Sequence, residues 1–240
     1  MLLGLGIYVV AVYVLILGHE LGHFTASRLL KVRISKFGIG AIKVLSFKYI
    51  GTTFEFGILP VVGYVEQNSK DVKNLQLYKK LIIILAGPFA SAIMGFIFLV
   101  FSGVGIEVAA VTSAQLPIAI PFMIMAKPSI LLLTKDMNNI SATMHLANLL
   151  VSSPAQTLGL IGIISLGVAG INLFPIPLLD GGQALFEILK GPLGKYKVKL
   201  WEIGNEISIL SMVRTTLIVI FFLYLIYTLV AEIYFRLVQT

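Results

Sequence analysis

The sequence predicts an all-α polytopic membrane protein with about four transmembrane helices and a small membrane-associated β region. Three observations carry that reading. Of the 240 residues, 58% are hydrophobic and only 12% charged, against about 25% charged in a soluble domain. Four apolar runs, 2–30, 81–101, 155–179 and 209–230, are each long enough for the roughly 20 residues that a crossing helix needs. Between the first two, the stretch 32–66 mixes recurrent glycines with β-branched and aromatic residues, which is the composition of strands and turns. The length suits one compact bundle, so 1–240 is read as a single domain. A net charge of +7 would suit nucleic acid, but the basic residues flank apolar spans, where membrane orientation accounts for them. The expected partner is therefore a lipid bilayer and not a nucleic acid. The chain has no cysteine, which excludes a disulfide framework and a cysteine metal site.

The first run has no Lys or Arg before it. It lacks the basic start of a cleavable signal peptide and reads as a retained helix. Toward its end stands His19-Glu20-Leu21-Gly22-His23. Residues four apart share a helix face, so both imidazoles can reach one metal ion, and Glu20 beside them is placed to act as a base on water at that ion. Counted from Leu2, His19 lies roughly 25 Å along the helix, still inside a hydrocarbon core about 30 Å thick. An ionisable group deep in a bilayer costs roughly 2.5–3.5 kcal/mol even on lenient scales, so three in five residues call for a functional reason.

In 32–66, Gly38, Gly40, Gly51, Gly57 and Gly63 punctuate short apolar stretches, giving two or three short strands or hairpins. An open sheet edge cannot face lipid. The region is either an ordinary interfacial ribbon or an edge that takes up an extended peptide by strand addition. Lys70, Lys73, Lys79 and Lys80 precede the second span. Within that span, Ala86-Gly87-Pro88 and the pairs Ala86/Ala90 and Ser91/Gly95 permit close helix approach. The connection 102–153 reads as non-crossing. Its apolar part, 116–134, carries Pro117, Pro121, Pro128 and Lys127 and suits a re-entrant, interfacial or partly extended segment. His145 in that connection has no spaced partner and reads as structural. The third span ends in Asn172-Leu173-Phe174-Pro175-Ile176-Pro177-Leu178-Leu179-Asp180-Gly181-Gly182. Two prolines so close cannot sit in a regular helix, so the helix should break near Asn172 and run extended to Asp180. Taken alone, Asp180 is equally a turn aspartate before a helix starting near Gln183. In the polar connection 182–208, Trp201 reads as an interfacial anchor.

The distribution of Lys and Arg gives a topology. Ten lie in 28–80, two in 102–153, five between the third span and Arg214, and one near the C-terminus. Connections 28–80 and 182–208 are thereby placed inside and both termini outside. Spans one and three then run in the same direction and bring His19, His23 and Asp180 to one side. Two histidines and one carboxylate are a zinc donor set. A single full crossing by 116–134 would put Asp180 on the opposite side.

With these motifs the chain resembles the site-2 protease family of intramembrane zinc metalloproteases. The match rests on His19-Glu20-Leu21-Gly22-His23-Phe24, on 172–182, on Gly63-Tyr64-Val65, similar to the family's glycine-tyrosine-valine loop, and on Ala86-Gly87-Pro88. The resemblance implies Zn²⁺ held by His19, His23 and Asp180, with Glu20 as catalytic base. It implies that Asn172 positions substrate or stabilises the oxyanion, and that a β region with Gly63 and Tyr64 presents substrate as an added strand. It further implies cleavage of transmembrane segments of single-span membrane proteins near the cytoplasmic face, in regulated intramembrane proteolysis, by a multi-pass protein of a bacterial cytoplasmic membrane. Val62 stands where many members have a second glycine, Ser91 where many have asparagine after the glycine-proline pair, and Gln183 where histidine is frequent. The 102–153 connection is too short for the PDZ domain that many bacterial members carry there, so a compact form is expected. Two other classes are a metal transporter and a scaffold. A metal transporter would need polar residues along a path, which spans two and four scarcely offer. A catalytically silent scaffold for membrane proteins would not need His19, His23, Glu20 and Asp180 together.

Overall fold

The computed structural model describes residues 2–126, 153–193, 195–199 and 206–238. The expectations for His145 and Trp201, and for 127–152 generally, fall outside them. Helix α1 (Leu2–Leu29) is followed by strands β1 (Ile34–Tyr49) and β2 (Thr52–Gln67), then α2 (Ser69–Lys73), α3 (Leu77–Phe101) and α4 (Ile106–Ala126). After the undescribed part come α5 (Pro154–Leu173), α6 (Asp180–Leu193), short strands β3 (Lys197–Lys199) and β4 (Glu206–Ser208), and α7 (Ile209–Val238). Three helices, Gly6–Leu29 of α1, α3 and α5, are long and apolar enough to cross a membrane. The chain is thus an integral membrane protein with three such helices among the described residues, against the expected four or so. The helix over the fourth expected span is α7, and its stretch Ile209–Tyr224 is apolar.

Small residues build the bundle. A Cβ on Gly22 of α1 would come within 2.7 Å of Ala90 Cβ, and one on Gly95 of α3 within 2.7 Å of Leu166 Cγ and 2.9 Å of the Gly162 carbonyl oxygen. Backbones therefore meet closely where the sequence offers no side chain, as in other membrane helix pairs. Ala11 and Leu15 of α1 pack with Ile161 of α5, and Leu99 of α3 with Ala109 of α4 and Leu166 of α5. Ile82, Phe89, Ile93, Ile97 and Phe101 of α3 point away from this core and are exposed. Their spacing marks a single helix face, and in a bilayer that face meets lipid.

The β region is one long curled hairpin, not several short ones. Ile50 (φ 43°) and Gly51 (φ 78°) make its two-residue turn, and two successive positive φ values suit the right-handed twist of the strands they join. Positive φ recurs at Gly40 and Ile42, where the register shifts and the ribbon bends back on itself. As a result Lys36–Ile39 lie beside both Gly63–Glu66 and Thr53–Phe56. The hairpin is fixed to α1 by Phe24 against Phe37, ring centroids 5.5 Å apart, and by Arg28, whose guanidinium donates to Thr52 Oγ1 at 2.6 Å. Beyond β2, Asn68 caps α2 and Asp71 accepts from Arg33 at 2.8 Å. The Arg33 guanidinium holds the Asp71 carboxyl down at about 2.

The described part of the connection 102–153 is helical and not partly extended: α4 runs through Pro117 and Pro121. Its backbone at Pro117 sits against Gly170 of α5, where a Cβ would come within 2.7 Å of Pro117 Cα. A neighbouring helix pressed against the proline turn is one way membrane helices keep prolines in place.

Replacing Gly95 by Leu is expected to force α3 and α5 apart. Overpacking of this kind costs about 1–3 kcal/mol, so a lowered thermal midpoint in detergent should report it, and an unchanged midpoint would contradict this packing.

Candidate metal centre

Helix α1 continues unbroken through the histidine motif and carries His19 and His23 on one face, with Glu20 beside them. The third component arrives from the other end of the chain. Helix α5 stops at Leu173, with Phe174 already extended (φ −68°, ψ 143°). The link to α6 is not extended throughout, as expected from its prolines, but tightly turned: Ile176 N–H donates to Phe174 at 2.8 Å and Leu179 N–H to Ile176 at 2.9 Å. Gly181 and Gly182 make the turn feasible, because any Cβ there would strike the carbonyls of Leu173 and Ile176. The helix then begins on Asp180 itself, three residues earlier than expected.

The structure brings the three expected donors together. His19 Nε2 is 3.1 Å and His23 Nε2 3.3 Å from Asp180 Oδ2, and the two Nε2 atoms are 3.3 Å apart. Tetrahedral zinc with bonds of about 2.0–2.1 Å holds its donors about 3.3–3.4 Å apart, so the spacing fits that ion. The chemistry of the donors fits as well. His23 Nδ1 donates to the Ile83 carbonyl at 2.8 Å, which leaves Nε2 bare in a neutral ring. His19 Nδ1 lies 3.0 Å from Ser91 Oγ, and with Ser91 as acceptor the second Nε2 is bare too. In that tautomer two nitrogen lone pairs and a carboxylate oxygen converge on one point, which is the donor set a cation requires. His19 and Asp180 are buried and His23 nearly so.

Helix α3 closes the centre from the other side. A Cβ on Gly87 would overlap His23 Nε2 and come 2.8 Å from His19 Nε2, so only glycine lets this backbone approach. Ser91, 1% exposed, also has its own carbonyl held by Ser165 of α5 at 2.7 Å. A relay from α5 through α3 thereby fixes the His19 ring, and such outer partners orient ligands and tune affinity. In the sequence Ser91 stands out as half of the small pair Ser91/Gly95 and as a departure from asparagine, not as a partner of His19. The available signal was its place one helical turn beyond Gly87-Pro88.

A cavity of about 380 Å³ joins Glu20 to the three donors and is bordered by Gly63, Tyr64 and Asn172. Gly63 lies against Glu20, where a Cβ would be 2.6 Å from Oε1. Tyr64 lies next along β2, its hydroxyl bonded to Glu55. Asn172 reaches the cavity wall, but its amide donates to the Val168 carbonyl at 3.0 Å within its own helix.

An apolar helical bundle with a buried triad able to hold a metal defines a membrane metalloprotein. The family description "Peptidase family M50" matches residues 7–215, and the chain belongs to that family, the site-2 protease family of zinc metallopeptidases. Among curated relatives, the regulator of sigma E protease of Haemophilus influenzae is 34% identical over 113 residues, 41% of this chain and 24% of its own length. Proteins named as zinc metalloproteases in Fusobacterium nucleatum and Campylobacter jejuni are each 34% identical, over 39% and 40% of this chain. The chain spans 30% of each of those two proteins. The cofactor of the family is zinc, which the geometry at His19, His23 and Asp180 accommodates.

Ser91→Ala is expected to weaken zinc affinity about 10–100-fold, the usual loss when an outer partner is removed. Gly87→Ala is expected to abolish stoichiometric zinc. Competition with a chelator and elemental analysis measure both, and unchanged affinity in the two variants would contradict the arrangement described.

Proposed function

We propose that this protein is an intramembrane zinc endopeptidase that cleaves transmembrane segments of single-span membrane proteins near the cytoplasmic face, in regulated intramembrane proteolysis. The observation that carries the reading is a single cavity holding three donors 3.1–3.3 Å apart, a buried glutamate and an open strand edge. In this reading His19, His23 and Asp180 are the zinc ligands, and Glu20 is the base.

When bound, zinc supplies Lewis acidity toward water and toward the oxyanion that develops at a peptide carbonyl. Glu20 takes the proton of the attacking water and returns it to the leaving amide nitrogen. Asn172 has two amide N–H groups. One is engaged by Val168, and we assign the other to the substrate carbonyl. A helical substrate hides its carbonyls in internal hydrogen bonds and must first unwind. Residues Gly63–Glu66 pair with Lys36–Ile39 along one side only, and among the described residues no strand pairs with the other. An unwound segment added there would recover its backbone hydrogen bonds while passing Glu20 beside Gly63.

The distribution of basic residues supports a site toward the inner face of a cytoplasmic membrane, with both termini outside. The relatives are bacterial proteins, which supports the same compartment.

Zinc-loaded protein in bicelles is expected to cut a transmembrane peptide that has a helix-destabilised centre. Glu20→Gln should lower kcat by about 10²–10⁴-fold, the usual contribution of a positioned base, with zinc content unchanged. Equal turnover by both proteins would refute the proposal.

A further inference from the structure

A second cavity, about 190 Å³, adjoins the metal centre and shares Gln67, Ile83, Ile84 and Gln183 with it. Its polar wall differs in character. Lys80 from the first turn of α3, Lys190 from the last turn of α6 and Arg214 of α7 border it, with Glu187 as the one carboxylate among its lining residues. Lys80 Nζ lies 2.9 Å from Glu187 Oε1, and Lys190 reaches the other oxygen. Burial works against ionisation of Glu187, but Lys190 and Lys80 outweigh it and hold the carboxyl below its usual range. The carboxylate is thus committed within the wall. Arg214 stacks over Phe186, 6.0 Å from its centroid, and makes a long contact of 3.4 Å to the Pro177 carbonyl. Three cations against one anion make the described lining electropositive.

The open edge of β2 links the two cavities. Gly63 stands at Glu20, and Gln67 borders both spaces. Four residues of strand cover about 13 Å, so a substrate strand laid along this edge delivers a side chain to the second cavity about four residues from the bond at Glu20. We propose that the Lys80–Lys190–Arg214 cavity is a specificity subsite for an aspartate or glutamate of the substrate, on the cytoplasmic side of the cleaved bond, and that it disfavours lysine and arginine there. This rests on the protease reading above. The cytoplasmic flanks of membrane spans are rich in Lys and Arg, so an electropositive subsite rejects most of the spans that share the bilayer and selects those with an acidic flank.

The test uses the zinc-loaded full chain in bicelles and one transmembrane peptide whose cleavage site has been mapped. Glu, Gln or Lys is placed in turn three, four and five residues to the cytoplasmic side. At the matching position, Glu is expected to lower KM about fivefold relative to Gln and Lys to raise it by a similar factor, the scale of a partly exposed ion pair. Because the contact is the same in ground and transition states, kcat should stay within about twofold. The double variant Lys190→Gln/Arg214→Gln should bring the three peptides to one KM. Equal KM values for the Glu and Lys peptides with the wild-type chain would overturn the subsite and leave the protease reading standing. Turnover no faster than that of Glu20→Gln would overturn the protease reading instead. Anisotropy of the labelled peptides on the Glu20→Gln chain then decides the subsite: tighter binding of the Glu peptide supports it, and equal binding overturns it.

Discussion

Three donor atoms lie 3.1–3.3 Å apart inside an apolar bundle, and one cation among them satisfies all three at once. The rest of the structure follows from that constraint. An uncompensated carboxylate with two imidazoles is costly in a low-dielectric setting, and coordination turns the same groups into a cross-link between the two ends of the chain. His19 and Asp180 are separated by 161 positions. We propose that zinc is the strongest tie between α1 and the α5–α6 turn, as well as the source of reactivity.

The architecture around the donors is largely a matter of removing atoms. Gly87, Gly181, Gly182 and Gly63 each stand where a Cβ would meet a ligand, a turn carbonyl or Glu20. The centre therefore sits where backbones, not side chains, form much of the wall. Rigidity comes from outside this inner layer. Ser165 and Ser91 hold His19, the Ile83 carbonyl holds His23, and the Lys80–Glu187 pair joins α3 to the helix that begins with Asp180. Gln67 donates to Ser27, which donates to the His23 carbonyl, so the end of the open strand is tied to the same helix turn. Groups that would handle substrate and groups that would hold metal share one frame.

Parts of this were legible in the sequence because they obey short-range rules. The histidines sit four apart on a helix, and that spacing alone sets them on one face. Asp180 is a candidate in the sequence through the charge distribution, which predicts co-directional spans one and three; the structure places its carboxylate 3.1 Å from His19 Nε2. The β region was legible as composition, but its curl was not, because the bend depends on positive φ at Gly40 and Ile42 and one of these is an isoleucine. Prolines 117 and 121 signal a break in any isolated helix, and only the neighbouring Gly170 shows why α4 continues. Lys80 and Glu187 carry no local signature, since each acquires its role from the other, 107 positions away.

We propose that His19, His23 and Asp180 jointly hold zinc within the membrane domain. Zinc K-edge absorption on the purified chain addresses it most directly. The account predicts one zinc per chain with a shell of nitrogen and oxygen donors at about 2.0–2.1 Å, showing outer-shell scattering from two imidazoles. A chain that carries no zinc, or zinc whose spectrum lacks the imidazole contribution, would contradict it.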